Sequence, residues 1–409
     1  MAFMPSRLLL PRRGFLSLAG AIGASRFGVP NVTAQAAKRP SAGDFLFEPG
    51  LAYLNTGALG PTPRPVLDRV LSASQTLEAN PSQQAYGPLR HEMDAVRTSA
   101  AAFLHCEPDE IVLTDSTTSG MNAVALGIGL KAGDRVLASN QEHMGGRACW
   151  NHLVRKQGVV IDEIDIPPLL FDADQIVARF VAKLTSRTRV LSVSHVTSPT
   201  GHVFPIARLA SALRGTNCLM VVDGAQAAGA IPVDLHALGC HAYATSGHKW
   251  LMGPKGTGLL FLSRSAANRI EPVSLENGRE AYTDSTGVRD IPAILGLGAA
   301  LQYLVSWDKS SAERRVMNLR NLAYSQLKTL NMLAIVSPPP GEAAAPMVTF
   351  RLPDRVDNGA LQTILQVKHR IAVKTFPRKQ FNALRVSTHV FNDENQIARL
   401  IAALRQELA

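Results

Sequence analysis

Cysteine is scarce in this 409-residue chain: Cys106, Cys149, Cys218 and Cys240 stand singly, with no CxxC pair. Neither a metal site nor a disulfide framework is therefore expected. Apolar runs are short, and none reaches the ~20 residues that a membrane-spanning helix needs, so no stable membrane span is expected. Lysine and arginine never form a block interleaved with aromatic residues, which leaves no support for a nucleic-acid surface. Charge is thin as well, at 18% of residues against 46% hydrophobic. That balance belongs to a large globular α/β chain with its own core, not to a disordered or fibrous one. No internal repeat is visible.

The formal charge of +10 sits partly at the N-terminus. Residues 1–36 hold Arg7, Arg12, Arg13 and Arg26 and no acid, leaving 38 basic against 32 acidic residues, or +6, for the rest. The excess reads as a solvated basic face, with attraction of anionic substrates as the alternative. Arg12-Arg13-Gly14-Phe15-Leu16 precedes a weakly apolar stretch at 18–24, and Ala34-Gln35-Ala36 has the small-x-small pattern of a cleavage site. In that order these features resemble a twin-arginine export signal over residues 1–36, implying the twin-arginine export machinery as a partner and a periplasmic address. That route carries folded proteins.

Beyond the leader, runs rich in Val, Ile and Leu at 111–114, 135–138, 190–193, 219–222 and 258–262 read as buried strands, while 174–184 and 206–214 carry helical periodicity. Repeated β-α-β order predicts an α/β fold: a mainly parallel sheet, helices on both faces, and ligands at the carboxyl ends of the strands. The pattern changes near Trp307. A charged helical stretch at 311–330 is followed by a Pro/Gly/Ala segment at 338–346, a strand at 347–352, and helices at 361–369 and 393–408. The expected division is a pocket-lining N-terminal segment, 37–60, a large domain, 61–306, and a smaller C-terminal α/β domain, 307–409.

Chemistry gathers between residues 219 and 262. An apolar strand ends in Asp223-Gly224-Ala225-Gln226; Ser246-Gly247-His248-Lys249 follows, and then the turn Gly253-Pro254-Lys255-Gly256-Thr257-Gly258. Pyridoxal phosphate (PLP) needs a lysine to hold its aldehyde as an imine and an acid to keep its pyridine nitrogen protonated. Lys249 and Asp223 fit those roles, with Gln226 placed to reach the ring hydroxyl. Each residue alone is ordinary; the ordered set is specific. The turn at 253–258 lacks the GxxxxGK[ST] pattern, so it gives little support to a nucleotide-binding reading.

This set resembles the class V aminotransferase family, the fold-type I PLP enzymes that include cysteine desulfurases and isopenicillin N epimerase. The resemblance runs from Tyr53-Leu54-Asn55-Thr56-Gly57 to Arg385-Val386-Ser387. It implies an aspartate-aminotransferase-like fold and a homodimer. It also implies that Thr118 and Ser119, in Thr117-Thr118-Ser119-Gly120, hold the cofactor phosphate with Ser246 and His248; a segment opening a helix offers free N–H groups to an anion. By the same resemblance His143 stacks on the ring, Asn55 and Gly57 line the pocket, and Arg385 takes the substrate α-carboxylate with its planar guanidinium. Ser198 stands where the family has a ring-facing asparagine, as in the epimerase-like branch.

Departures narrow the activity. Cysteine desulfurases carry a mobile cysteine shortly before the arginine, and residues 371–384 contain none, so persulfide transfer is not expected. Thr286-Gly287-Val288-Arg289-Asp290 resembles a segment that reaches the neighbouring subunit's phosphate, but Val288 replaces a threonine, leaving a backbone N–H or Ser285 to substitute. The expected activity is isopenicillin-N-epimerase-like, at the α-carbon of an amino acid or of an amino-acid residue in a natural product such as a peptide siderophore. Lys249 is then both imine partner and proton shuttle. Transamination, β-elimination and a decarboxylating siderophore-tailoring reaction are the enzymatic alternatives. A PLP-binding protein without turnover is the alternative of another class; the presence of Arg385 argues against it, because a carrier has no use for a substrate-carboxylate site.

Overall fold

Residues buried on both faces make the centre of the molecule. The computed structural model describes residues 41–272, 289–378 and 381–409; the expected export signal, 1–36, and residues 285–288 of the segment expected to reach a neighbouring subunit lie outside them. After a short strand, β1 (Ala52–Tyr53), come β2 (Ile111–Thr114), β3 (Arg135–Ser139), β4 (Val160–Ile164), β5 (Thr188–Ser194), β6 (Leu219–Asp223), β7 (Ala242–Ser246) and β8 (Gly258–Leu262). β2 to β8 form one sheet in the order β2-β8-β7-β6-β5-β3-β4. β8 alone is antiparallel to its neighbours, β2 and β7; the other pairs are parallel. The mainly parallel sheet expected from the β-α-β pattern is thus present, and the apolar runs of β6 and β8 are buried throughout, as helices on both faces require.

Two strands carry no such run. β4 lies at the sheet edge, and its Val-Ile-Asp-Glu-Ile sequence leaves Val160 and Glu163 exposed. β7 is wholly buried yet built from Ala-Tyr-Ala-Thr-Ser. The reason lies beside it: the Thr117–Gly127 helix comes so close that a Cβ on Gly120 would sit 2.9 Å from Ala244 Cβ. Small residues on both elements permit that approach.

Aspartates fix several helix starts. Asp172, Asp357 and Asp393 accept the N–H groups of Gln175, Ala360 and Gln396, each cap stabilising its helix by about 1 kcal/mol. The Asn358–Val367 helix therefore begins before the apolar periodicity does. The Ile291–Val305 helix, apolar nearly all round, is buried against the Arg64–Ala79 and Pro88–Leu104 helices, as such a helix must be.

Further along, β9 (Ala334–Ile335) and β10 (Met347–Arg351) precede β11 (Ile371–Ala372), β12 (Lys374–Thr375) and β13 (Ala383–Ser387). Four of these form an antiparallel sheet, β12-β13-β10-β9, packed with the Lys309–Lys328 and Glu394–Leu408 helices around Phe350, Leu365, Leu384, Leu400 and Leu404. Burying each of those side chains contributes roughly 1.5–3 kcal/mol. β11 pairs in parallel with β1, and the Ser387 N–H donates to Leu54 O at 2.8 Å. Residues 52–57 are thereby laid beside the end of β13, which brings Gly57 to Arg385. Among the described residues no helix is long and apolar enough to cross a membrane.

Candidate active site

The carboxyl ends of the central strands supply the acids. β6 ends on Asp223, whose register partner is Ser194 at the end of β5. β3 runs through Ser139 into Gln141-Glu142-His143 and the Met144–Gln157 helix. His143 caps that helix, its Nδ1 accepting the Gly145 N–H at 3.0 Å. Asp223 is buried, with Oδ1 accepting the Ala225 N–H at 2.9 Å. The helix's first turn crosses the other oxygen: a Cβ at Gly146 would lie 2.5 Å from Asp223 Oδ2, and one at Gly145 2.9 Å from Thr118 Oγ1. Two helix starts therefore meet here with backbone in place of side chains, an arrangement that favours a bound anion.

Lys249 follows β7 on a turn clamped by the N-terminal segment. Gly60 N–H donates to His248 O at 2.8 Å, and a Cβ at Gly60 would stand 1.9 Å from Lys249 O. Lys255 Nζ ties the same segment down through Gly60 O, 3.0 Å, and Thr62 Oγ1, 2.9 Å. The Lys249 amine makes no hydrogen bond or ion pair among the described residues. Burial pushes its ammonium below the ordinary lysine range; the Asp223 carboxylate opposes that, while Arg385 and Lys374 add to it. A lowered proton affinity favours the neutral, nucleophilic amine.

Arg385 is 1% exposed. Its Nη1 donates to Ser198 O at 2.7 Å and Ser198 Oγ at 3.0 Å, its Nε has no partner, and a Cβ at Gly57 would lie 2.9 Å from Nη2. No carboxylate among the described residues neutralises it, and burial pushes the guanidinium down to about 10. A buried cation without an anion is costly until one arrives.

The remaining assignments fall unevenly. Gln226 donates Nε2 to Gly57 O, 2.7 Å, and accepts from Trp250 Nε1 at Oε1, 2.9 Å, which leaves one amide hydrogen for a ligand. Asn55 Oδ1 and His248 Nδ1 are buried without partners. Ser246 Oγ accepts the Thr117 N–H at 3.0 Å and bonds the Thr117 hydroxyl at 2.8 Å, so Thr117 is the residue tied to Ser246, while Thr118 is exposed. Ser119 commits its N–H to Ser116 Oγ, 3.2 Å, and its hydroxyl to Ser116 O, 2.9 Å, in a helix cap. Arg289 turns to its own chain, donating to Leu113 O at 2.9 Å and pairing with Asp115 at 3.5 Å, and Asp290 caps the next helix.

One acid went unassigned in the sequence. Glu142 accepts from Ser139 Oγ at 2.5 Å and Ser194 Oγ at 2.6 Å. Burial pushes its carboxyl up to about 7 against those two hydrogen bonds, with the nearby Asp223 charge raising it further. Its position directly before His143 was the only signal.

These residues fit pyridoxal phosphate: a free buried amine, a strand-end acid, unpartnered Asn55 Oδ1 and His248 Nδ1, and a cradle at Gly57, Gly145 and Gly146 that any Cβ would fill. The comparisons agree. The model of the aminotransferase class-V family matches residues 52–400. Isopenicillin N epimerases of Amycolatopsis lactamdurans and Streptomyces clavuligerus are 32% and 30% identical over 381 and 382 residues, each match covering 88% of this chain and 96% of the relative. A cysteine desulfurase of Yersinia pestis is 28% identical over 393 residues, 87% of this chain and 93% of the relative. A solved C-DES variant with glycine covalently linked to its PLP cofactor superposes with a TM-score of 0.81 at 24% identity, covering 89% of this chain and 99% of that one, which shows the shared fold. Matched along nearly all of its described length, the chain belongs to the aminotransferase class-V family of PLP-dependent enzymes.

Proposed function

We propose that this enzyme acts at the α-carbon of an amino acid, or of an amino-acid residue within a larger natural product, in the manner of the isopenicillin N epimerases it resembles. One observation carries the reading: the unpaired, buried amine of Lys249 shares its cluster with Asp223 and with an Arg385 that lacks an anion. Bound pyridoxal phosphate supplies the electron sink that weakens bonds at the α-carbon. Arg385 binds the substrate carboxylate and so orients the α-carbon, which decides the bond that breaks. Lys249 takes a proton at Nζ and returns it. Asp223 would hold the pyridine nitrogen, His143 the ring face, and Thr118, Ser246 and His248 the phosphate.

Persulfide transfer finds no support in the thiols. Cys149, Cys218 and Cys240 are buried and Cys106 half-buried, and burial pushes all four up to about 12, far from a reactive thiolate. The reading extends to place and form: residues 1–36 act as a twin-arginine export signal to the periplasm, and the enzyme works as a homodimer. The paired arginines, apolar stretch and cleavage pattern support the first, and the 286–290 resemblance supports the second. Replacing Arg12 and Arg13 by lysine is expected to retain the protein in the cytoplasm, and light scattering reads the dimer.

The test is α-proton exchange. PLP-loaded enzyme in deuterated water, given a panel of amino acids and acidic peptides, is expected to place deuterium at the α-carbon of one class, read by NMR; Lys249→Ala is expected to place none. Failure to exchange any α-amino acid or peptide in the panel overturns the proposal.

A further inference from the structure

We infer that Lys374 and Arg385 form a two-cation site that selects substrates bearing a second acidic group, the α-carboxylate going to Arg385 and a distal carboxylate to Lys374. The assignment of the first carboxylate rests on the α-carbon reading above.

β12 and β13 are antiparallel neighbours, and Lys374 is the register partner of Arg385. Residues directly opposed in this way project from the same face with Cβ atoms about 5 Å apart. Alternation along the chain agrees, since Phe376, two residues after Lys374, has its ring centre 5.9 Å from the Arg385 guanidinium. Like charges directly opposed destabilise a sheet, and both side chains are drawn out of water, Arg385 fully and Lys374 partly. Among the described residues neither has a carboxylate partner. Cations nearby in the chain do: Lys368 pairs with Glu407 at 2.8 Å, Arg370 with Glu48 at 3.4 Å and Arg378 with Asp357 at 3.0 Å. The Lys374 charge also reaches the centre, where it depresses the proton affinity of Lys249 and His143.

Depth separates the two cations. Arg385 lies at the floor with Nη1 committed to Ser198, and half-buried Lys374 stands nearer to water on the same face. A monocarboxylate satisfies only the floor. A substrate with a second carboxylate three or more bonds away satisfies both and removes the repulsion between them.

The test uses PLP-loaded enzyme and ligands without an amino group, butyrate, glutarate and adipate, with binding read by calorimetry and by displacement in the cofactor's absorption spectrum. The dicarboxylates are expected to bind about tenfold tighter than butyrate, the order of one charge-assisted hydrogen bond. Lys374→Gln is expected to abolish that preference by weakening dicarboxylate binding far more than butyrate binding, and Lys374→Arg to restore it. Equal binding of mono- and dicarboxylates by the wild type, no binding of either, or a preference surviving in Lys374→Gln overturns the inference. These ligands carry no α-amine, so the outcome is independent of whether the α-proton exchange assay succeeds.

Discussion

Replacing Glu142 by glutamine separates the electrostatic content of the site from its shape. Glutamine keeps the length and both hydrogen bonds, one as acceptor and one as donor, to the hydroxyls of Ser139 and Ser194. What it removes is the ability to ionise. The Glu142 carboxyl is held at about 7 by burial, against an ordinary 4.5, so the folded chain keeps its proton where the unfolded chain has lost it. Folding stability therefore falls as pH rises from 4.5 through 7 and levels off above. At about 1.4 kcal/mol per pKa unit, the full loss is roughly 3 kcal/mol. Glu142→Gln is expected to gain about that much on the wild type across this window, measured as the difference in urea unfolding free energies from pH 4.5 to 8. The buried histidines His195, His202 and His389, pushed down to about 4 by burial, act in the opposite sense, but they are common to both proteins and cancel in the difference. Parallel stability curves for the two proteins would refute the reasoning.

Gly60→Ala drives a methyl group into the carbonyl of Lys249; overpacking of this kind costs roughly 1–3 kcal/mol, so a lower unfolding midpoint and weaker capture of added PLP are expected, and an unchanged protein would show that the turn is not clamped. Arg385→Gln removes a buried charge that has no anion, so stability is expected to hold or rise while affinity for carboxylate-bearing substrates falls roughly 10- to 150-fold, the worth of one charge-assisted contact; a loss of several kcal/mol in stability would mean the charge is already compensated in the free protein.

Much of the frame was legible because it depends on local pattern. The runs in β6 and β8 announce doubly covered strands, and Asp223, Lys249 and Arg385 stand in motifs whose order survives in one dimension. β7 was illegible because its small residues answer to Gly120 on a helix far away in sequence, not to any strand preference. The Asn358–Val367 helix starts early because Asp357 caps it, where apolar periodicity is silent. Glu142 and Lys374 stayed hidden for a related reason: one is defined by serines at the ends of two other strands, the other by register with Arg385. Chain position pointed to the helix start at 117–119, but only the fold shows that Thr117 is tied to Ser246 and Ser119 to Ser116.

The most direct test is the absorption spectrum of the protein loaded with pyridoxal phosphate, recorded for the wild type and for Lys249→Ala. A visible band present in the wild type and absent from the variant is the result expected if Lys249 holds the cofactor covalently. A wild type without that band, or a variant that keeps it, would contradict the account.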